Sequence, residues 1–364
     1  MNLKRFGVPA VIAVTAALAL SSCAANEGGA APAESASSLS GNLVGAGASS
    51  QDAAQQSWIA GFQTANPDVT IDYDPSGSGA CRDTFLAGAS DFAGSDRAFK
   101  DEEIAAGGFT ACAPDSSIVE LPVYISPIAV IFNVEGVDAL NLDAATIAGI
   151  FAGTITNWND PAIAATNPDA TLPDLAITPV HRSDDSGTTK NFTDYLGKAS
   201  GSWSYEAEDA FPVKGGEAAE GTSGVISAVS GGKGTIGYAD ESQVGDLSVV
   251  SVKVGEESVA PSAEGAAKVV ETSPAAEGRA DVDMAMDIDR TTTESGAYPV
   301  LLASYLIACQ TYDDANEAAL VKGFLSYIVS DAGQQAAAAQ AGSAPLDSET
   351  AAKAGDIVGA IAAK

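Results

Sequence analysis

The sequence predicts an α/β protein of two lobes, and three observations carry that reading. Short β-branched runs alternate with stretches of helical apolar spacing, as in a sheet flanked by helices. Once an exported leader is set aside, roughly 320 residues remain, more than one hydrophobic core comfortably serves. Two long apolar runs, 120–134 and 298–307, are each suited to crossing from one lobe to the other.

The leader comes first. Lys4-Arg5 precedes an apolar run that ends at Leu20-Ser21-Ser22-Cys23, the layout of a secretory signal. The run is too short and too rich in small residues to span a membrane comfortably. A leucine three residues before a cysteine resembles a bacterial lipobox, in which the cysteine receives lipid and becomes the new N-terminus. Plain cleavage, with Cys23 incidental, is the alternative. The expectation is a signal peptide at 1–22, lipid on Cys23, and a tether over 23–40. That tether is almost wholly Ala, Gly, Ser, Pro and Glu and cannot build a core.

Leu43-Val44 then reads as a strand, followed by Gly45-Ala46-Gly47-Ala48-Ser49-Ser50 and a helix striped by Trp58, Ile59 and Phe62. Val69-Thr70-Ile71-Asp72-Tyr73 alternates as a strand and runs into Pro75-Ser76-Gly77-Ser78-Gly79 before a second helix. The apolar run 175–180 leads through His181-Arg182-Ser183-Asp184-Asp185-Ser186-Gly187-Thr188 into a third helix. Each unit is a strand, a Gly/Ser turn and a helix N-terminus. The free N–H groups and positive dipole end of a helix start bind anions, and Arg182 would add a forked cation. Read alone, the third turn is also an ordinary cap, with Ser186 or Asp185 capping. The recurrence of the unit points to convergence on one anion cleft at the carboxyl ends of strands. Further along, 147–161 reads as a helix and turn, 224–230 as a helix, 234–238 as a strand, 254–280 as elaborated surface, and 315–364 as alanine-rich helices.

The net charge is −31, from 48 acidic and 17 basic residues. That excludes nucleic acid as a partner and any long-range attraction of anions. An anion would have to be held by local dipoles and hydrogen bonds. The single histidine, His181, would have to serve any Ser-His-Asp site, and no Gly-x-Ser-x-Gly elbow exists. His-rich metal sites are impossible, and no cysteine has zinc spacing. The run 230–234 fails as a phosphate-cradling P-loop, because no hydroxyl residue follows Lys233. These absences favour binding over catalysis, with no metal and no cofactor. Cys81 and Cys112, both in loop-like sequence, are expected to pair in an oxidising compartment, leaving Cys309 a buried thiol.

Taken together, the loops resemble those of the phosphate-binding lipoproteins of bacterial ABC-type phosphate importers, the PstS family. Gly45 to Ser50 is similar to that family's first ligand loop, usually Gly-Ala-Gly-Ala-Thr-Phe. Tyr73 to Gly79 resembles its Gly-Ser-Ser loop, and Asp91-Phe92-Ala93-Gly94-Ser95-Asp96 its Asp-Phe-Gly-Ala-Ser-Asp turn. Ile155-Thr156-Asn157-Trp158-Asn159-Asp160-Pro161, the Arg182 to Thr188 loop and Gly234-Thr235-Ile236-Gly237-Tyr238 follow in family order, from about residue 41 onward.

The resemblance implies a type II periplasmic-binding-protein fold, two α/β lobes joined by a two-segment hinge. Lobe 1 would comprise 41–125 and 300–364, and lobe 2 would comprise 126–299. One inorganic phosphate would be buried between them and delivered to the importer's membrane permease by a monomeric, non-enzymatic carrier at the outer face of the cell membrane. Carried over by position, its ligands would be Ser49, Ser50, Ser78, Asp96, Arg182, Ser186, Gly187 and Thr188, with Asp184 supporting Arg182. Ser49 keeps the hydroxyl of the family's threonine. Ser50 stands where the family often has phenylalanine, which offers its backbone N–H. Asp96 would select a ligand that still carries a proton, or would merely cap its turn. The alternatives are a phosphoester hydrolase and a carrier of another tetrahedral anion such as sulfate.

The lipobox reading has a direct consequence. Cys23→Ala should move the protein from the membrane fraction to the soluble fraction, as fractionation and immunoblotting would show; a variant that stays membrane-bound rules out anchoring through Cys23.

Overall fold

A computed structural model describes residues 39–364, so the signal-peptide and Cys23 expectations lie outside the described residues. Leu39 already packs on the core, and the Ser40 carbonyl accepts from Asn316 Nδ2 at 3.1 Å, so the packing includes residues just before the expected residue 41.

The first part alternates strand and helix: β1 (Gly41–Gly47), α1 (Asp52–Ala65), β2 (Val69–Asp74), α2 (Ser78–Leu86), β3 (Phe92–Ser95) and α3 (Asp101–Ala106). A single 3-10 turn, Ser49–Gln51, precedes α1. The long β4 (Ile118–Asn133) follows, then β5 (Leu140–Leu142), α4 (Ala144–Phe151) and α5 (Pro161–Thr166). Next come β6 (Thr178–Arg182), α6 (Gly187–Ala199), β7 (Glu217–Ala219), α7 (Gly221–Gly231), β8 (Thr235–Asp240), β9 (Ser248–Val254), β10 (Glu257–Val259) and α8 (Ala263–Thr272). The chain returns through β11 (Leu301–Cys309) and closes with the short β12 (Thr311–Tyr312), α9 (Ala315–Val329), α10 (Asp331–Ala341), α11 (Ser348–Gly359) and β13 (Ala362–Ala363).

One sheet runs in the order β2-β1-β3-β11-β4-β8-β6-β7. β4 joins its two parts. Over 118–127 it lies antiparallel to β11, and over 128–133 antiparallel to β8. Fifteen of its sixteen residues are buried, because helices cover both faces. Side chains alternate across a strand: Ile128, Val130 and Phe132 enter the main core, while Ala129 and Ile131 enter a smaller one with Val180, Val225 and Val229. The long apolar run 120–134 is therefore one strand with two sets of partners, and 298–307 is largely the strand beside it.

Two expectations are corrected. The disulfide joins Cys112 to Cys309, with Cα atoms 5.3 Å apart, and Cys81 is free. The Cys112 loop is stitched to the end of β11, Ala113 N–H donating to the Thr311 carbonyl at 3.0 Å and Gln310 N–H to that of Ser117 at 3.0 Å. Cys81 instead sits in the first turn of α2, its thiol donating to the Ser78 and Gly94 carbonyls, and burial pushes its pKa up to about 12. Proximity in sequence was misleading, since the bonded pair is separated by 197 residues. The stretch 254–280 is also more than surface: Ala266 and Val269 of α8 are fully buried, at a helical spacing that its polar composition masked.

Where β4 changes partners, Asp240 faces Ile128 and is fully buried. Tyr124 OH (2.9 Å), Ser242 Oγ (2.5 Å) and Ser242 N–H (3.1 Å) converge on its Oδ1. Burial pushes this carboxyl up to about 7. Between the ordinary aspartate value near 4 and pH 7, the folded protein keeps a proton that the unfolded chain gives up. This group's contribution to stability therefore falls as pH rises through that window and is constant above it. Asp240→Asn, whose amide oxygen can accept the same donors, should gain roughly 1–3 kcal/mol at pH 8 relative to its standing at pH 4. Urea unfolding of both proteins at the two pH values checks this; a difference independent of pH contradicts it.

Candidate functional site

The expected loops meet at the carboxyl ends of their strands, where ligands of open α/β sheets bind. Ser49 and Ser50 follow β1, Ser78 begins α2 after β2, Asp96 follows β3, and Arg182 ends β6. Ser186 caps α6, its Oγ accepting from Thr189 N–H at 3.2 Å, and Gly187 and Thr188 form the first turn. The backbone joins the loops directly. Gly77 N–H donates to the Gly47 carbonyl (2.9 Å), Ala48 N–H to that of Gly94 (2.8 Å), and Gly79 N–H to that of Asp185 (3.0 Å).

Asp96, only 2 % exposed, is the centre. Its Oδ1 accepts from Ser50 Oγ and Ser304 Oγ, both at 2.6 Å, and its Oδ2 from Thr188 Oγ1 at 2.7 Å. Its N–H donates to Ser78 Oγ at 3.1 Å, and its carbonyl accepts from Asn191 Nδ2 at 2.6 Å. A carboxylate offers about four acceptor sites. Three are taken by hydroxyls, which leaves one, on Oδ2. Ser50's hydroxyl is thus committed to Asp96, a contact that the phenylalanine common in related loops could not make.

Two glycines are required here by space. A Cβ on Gly187 would lie 2.7 Å from both Asp96 Cβ and Ser78 Oγ. Gly77 has φ +104°, open to glycine but strained for side chains, and a Cβ there would lie 2.7 Å from Asp184 Oδ2. Beside it, Arg182 gives Nε to Asp184 Oδ1 at 2.7 Å and Nη2 to Asp184 Oδ2. Burial opposes the Asp184 charge, but the Arg182 guanidinium outweighs it and holds the carboxyl below its usual range. Asp184 Oδ1 also accepts Gly221 N–H at 3.0 Å.

A fourth helix start, that of α7, closes the group. Thr222 N–H donates to Ser49 Oγ at 3.1 Å, and the two hydroxyl oxygens are 2.9 Å apart. Reading that helix from Gly224 hid Gly221 and Thr222, although Glu220-Gly221-Thr222-Ser223 repeats the small-residue turn of the other three. Ser304 was missed inside an apolar run, where one serine among aliphatic and aromatic residues was the available signal, and it is fully buried. Gln51 then anchors Ser304, its Nε2 donating to Oγ at 2.6 Å. Two related motifs serve the frame instead. Trp158 Nε1 donates to the Gly234 carbonyl at 3.1 Å, and Tyr238 OH meets Thr189 Oγ1 at 2.7 Å. His181 stacks on Phe211 and reaches the Arg182 carbonyl at 2.9 Å, so it supports that loop.

Despite the acidity of the chain, Arg97, Lys100, Lys190, Lys198, Arg279 and Arg290 line a cavity of about 220 Å³ that shares Asp96 and Asn191 with the cluster. Burial pulls the Lys190 pKa down. Among the described residues, no group of three or more His, Cys, Asp or Glu stands close enough to hold a metal ion.

Residues 32–332 match the PBP superfamily domain. A curated relative, the phosphate-binding protein PstS 3 of Mycobacterium tuberculosis, is 35% identical over 338 residues, covering 89% of this chain and 90% of its own length. The chain belongs to the PstS family. Among solved structures, a high-affinity periplasmic phosphate-binding protein (PfluDING) bound with phosphate superposes with a TM-score of 0.70 at 22% identity, over 86% of this chain and 92% of that one. A phosphate-bound putative phosphate ABC transporter substrate-binding protein from Clostridium perfringens gives 0.61 at 23%, over 84% of this chain and all of the other. At those identities the structures establish the fold, which is the two-lobed periplasmic-binding one.

The tight seat of Gly187 makes a prediction. Gly187→Ala should push Asp96 off its hydroxyl donors and destabilise the protein by about 1–3 kcal/mol, the usual cost of overpacking. Chemical unfolding measures it; an unchanged midpoint would mean that the loop yields freely.

Proposed function

We propose that this chain captures inorganic phosphate outside the cell and delivers it to an ABC-type phosphate importer. The observation that carries the reading is Asp96, a buried carboxylate set among helix starts and hydroxyls with one acceptor site left. Like charges repel in a low-dielectric cleft, so a carboxylate there suits only an anion that brings its own proton. Phosphate near neutral pH keeps one or two O–H groups and can donate one to Oδ2. Sulfate has none and would face the carboxylate unpaired, with both groups stripped of water. In this reading the anion's ligands are Ser49, Ser50, Ser78, Asp96, Arg182, Ser186, Gly187 and Thr188, with Asp184 aiming Arg182. Ser50 acts through its backbone N–H while its hydroxyl steadies Asp96. Lobe 1 is 41–125 with 300–364, lobe 2 is 126–299, and the paired strands β4 and β11 carry the crossings. The carrier works as a monomer held to the outer face of the membrane by lipid on Cys23. The relatives that support this are named as binding proteins.

Titration with phosphate and sulfate at pH 7.5, read by tryptophan fluorescence, is the test. The wild type should bind phosphate and reject sulfate; binding of neither anion defeats the reading. Asp96→Asn, whose amide can donate, should narrow the gap between the two by about a hundredfold. An unchanged ratio would mean that another group discriminates.

A further inference from the structure

The segment between α6 and β7 reaches back to the first part of the chain, and its buried contact there is Asp209. Its carboxylate lies between two guanidiniums of that part. Arg82 Nη2 donates to Oδ2 at 2.5 Å, and Arg97 Nε lies 3.1 Å from Oδ2 and 3.2 Å from Oδ1. The three side chains are 5%, 9% and 13% exposed for Arg82, Arg97 and Asp209, so salt screens these pairs weakly.

Both arginines are held in place independently of Asp209. Arg82 Nη1 donates to Ser95 Oγ at 2.8 Å, and Arg97 makes a two-pronged pair with Glu103 at 2.7 and 2.8 Å. Burial works against the charge on Glu103, but Arg97 outweighs it and holds that carboxyl at about 2. On its own side, Asp209 is tied to the anion loop: its carbonyl accepts Ser186 N–H, the capping residue of α6, at 2.9 Å. The backbone that carries this carboxylate is therefore bonded directly to the start of α6. The adjoining pair, Lys100 and Glu208, spans the same gap but is largely exposed and contributes little.

We propose that Asp209 is an inter-lobe clasp. Its carboxylate, closed on Arg82 and Arg97, sets how fast the cleft reopens, and hence how long the anion stays, without touching the anion. Opening must pull one carboxylate away from two buried guanidiniums. Those bonds form as the halves close, whether or not an anion is present, and when one is present they follow its first contact with the loops. A positioning residue of this kind acts on release, not on capture, since contacts made late leave the encounter rate unchanged. The Ser186 bond also makes the clasp report on the ligand loops: α6 cannot shift without loading it.

The residence-time part rests on the phosphate reading, so two measurements are paired. In stopped-flow fluorescence with phosphate, Asp209→Ala should speed release about tenfold or more while the association rate stays within about twofold. Asp209→Asn, which keeps an acceptor but loses the charge, should fall between. Unchanged release, or a loss carried by slower association, overturns the clasp. Arg97→Gln approaches the same bond from the other side. It should also speed release, and the double variant should fall short of additivity; full additivity overturns the clasp as well. Separately, spin labels on α1 and α5 report the lobe separation without any anion. Asp209→Ala, or Arg97→Gln should the alanine variant not fold, should lengthen the distances relative to wild type. If wild type binds no phosphate, the functional reading fails and these distances alone decide: identical distributions overturn the clasp.

Discussion

The burial of one carboxylate organises this molecule. Asp96 lies where an anion-binding fold gathers its N–H groups, and it is tolerable there only because Ser50, Ser304 and Thr188 each give it a hydroxyl proton. An unpaired buried charge would cost more than a typical domain can spare. Meeting that requirement dictates much else. Ser304 has to sit in β11 beside β3, Gln51 has to hold Ser304, and Gly187 has to lack a side chain so that α6 can approach.

The same bookkeeping governs the cations. Arg182 is matched by Asp184, and Arg82 and Arg97 share Asp209, so no guanidinium beside the cluster carries a bare charge. In a chain of net charge −31 the long-range field repels anions. Attraction has to come from oriented N–H groups and hydroxyls within a few ångströms, where geometry counts for more than net charge.

The frame that delivers these groups is β4. It pairs with β11 on one side of Pro127 and with β8 on the other, so the two parts of the sheet share a strand. Asp240, buried at that junction with its donors gathered on one oxygen, has its carboxyl raised to about 7.

The alternation of strands and helices, the three Gly/Ser turns before helices and the long apolar strand were all legible in the sequence, because each rests on local rules: side-chain periodicity, capping chemistry and the reach of glycine. Arg182 could be singled out for the same reason, as a cation in an anion-competent turn, whereas Asp96 came only from the resemblance of its turn to the family's. Local rules say nothing about which distant segments meet. The bond between Cys112 and Cys309, the hydroxyl of Ser304 on Asp96, Thr222 on Ser49 and Asp209 between two arginines each join residues far apart in the chain. Helix starts and their chemistry come from neighbouring residues, and the sequence alone determined them. Partners come from strand order and packing, which only the folded chain decides.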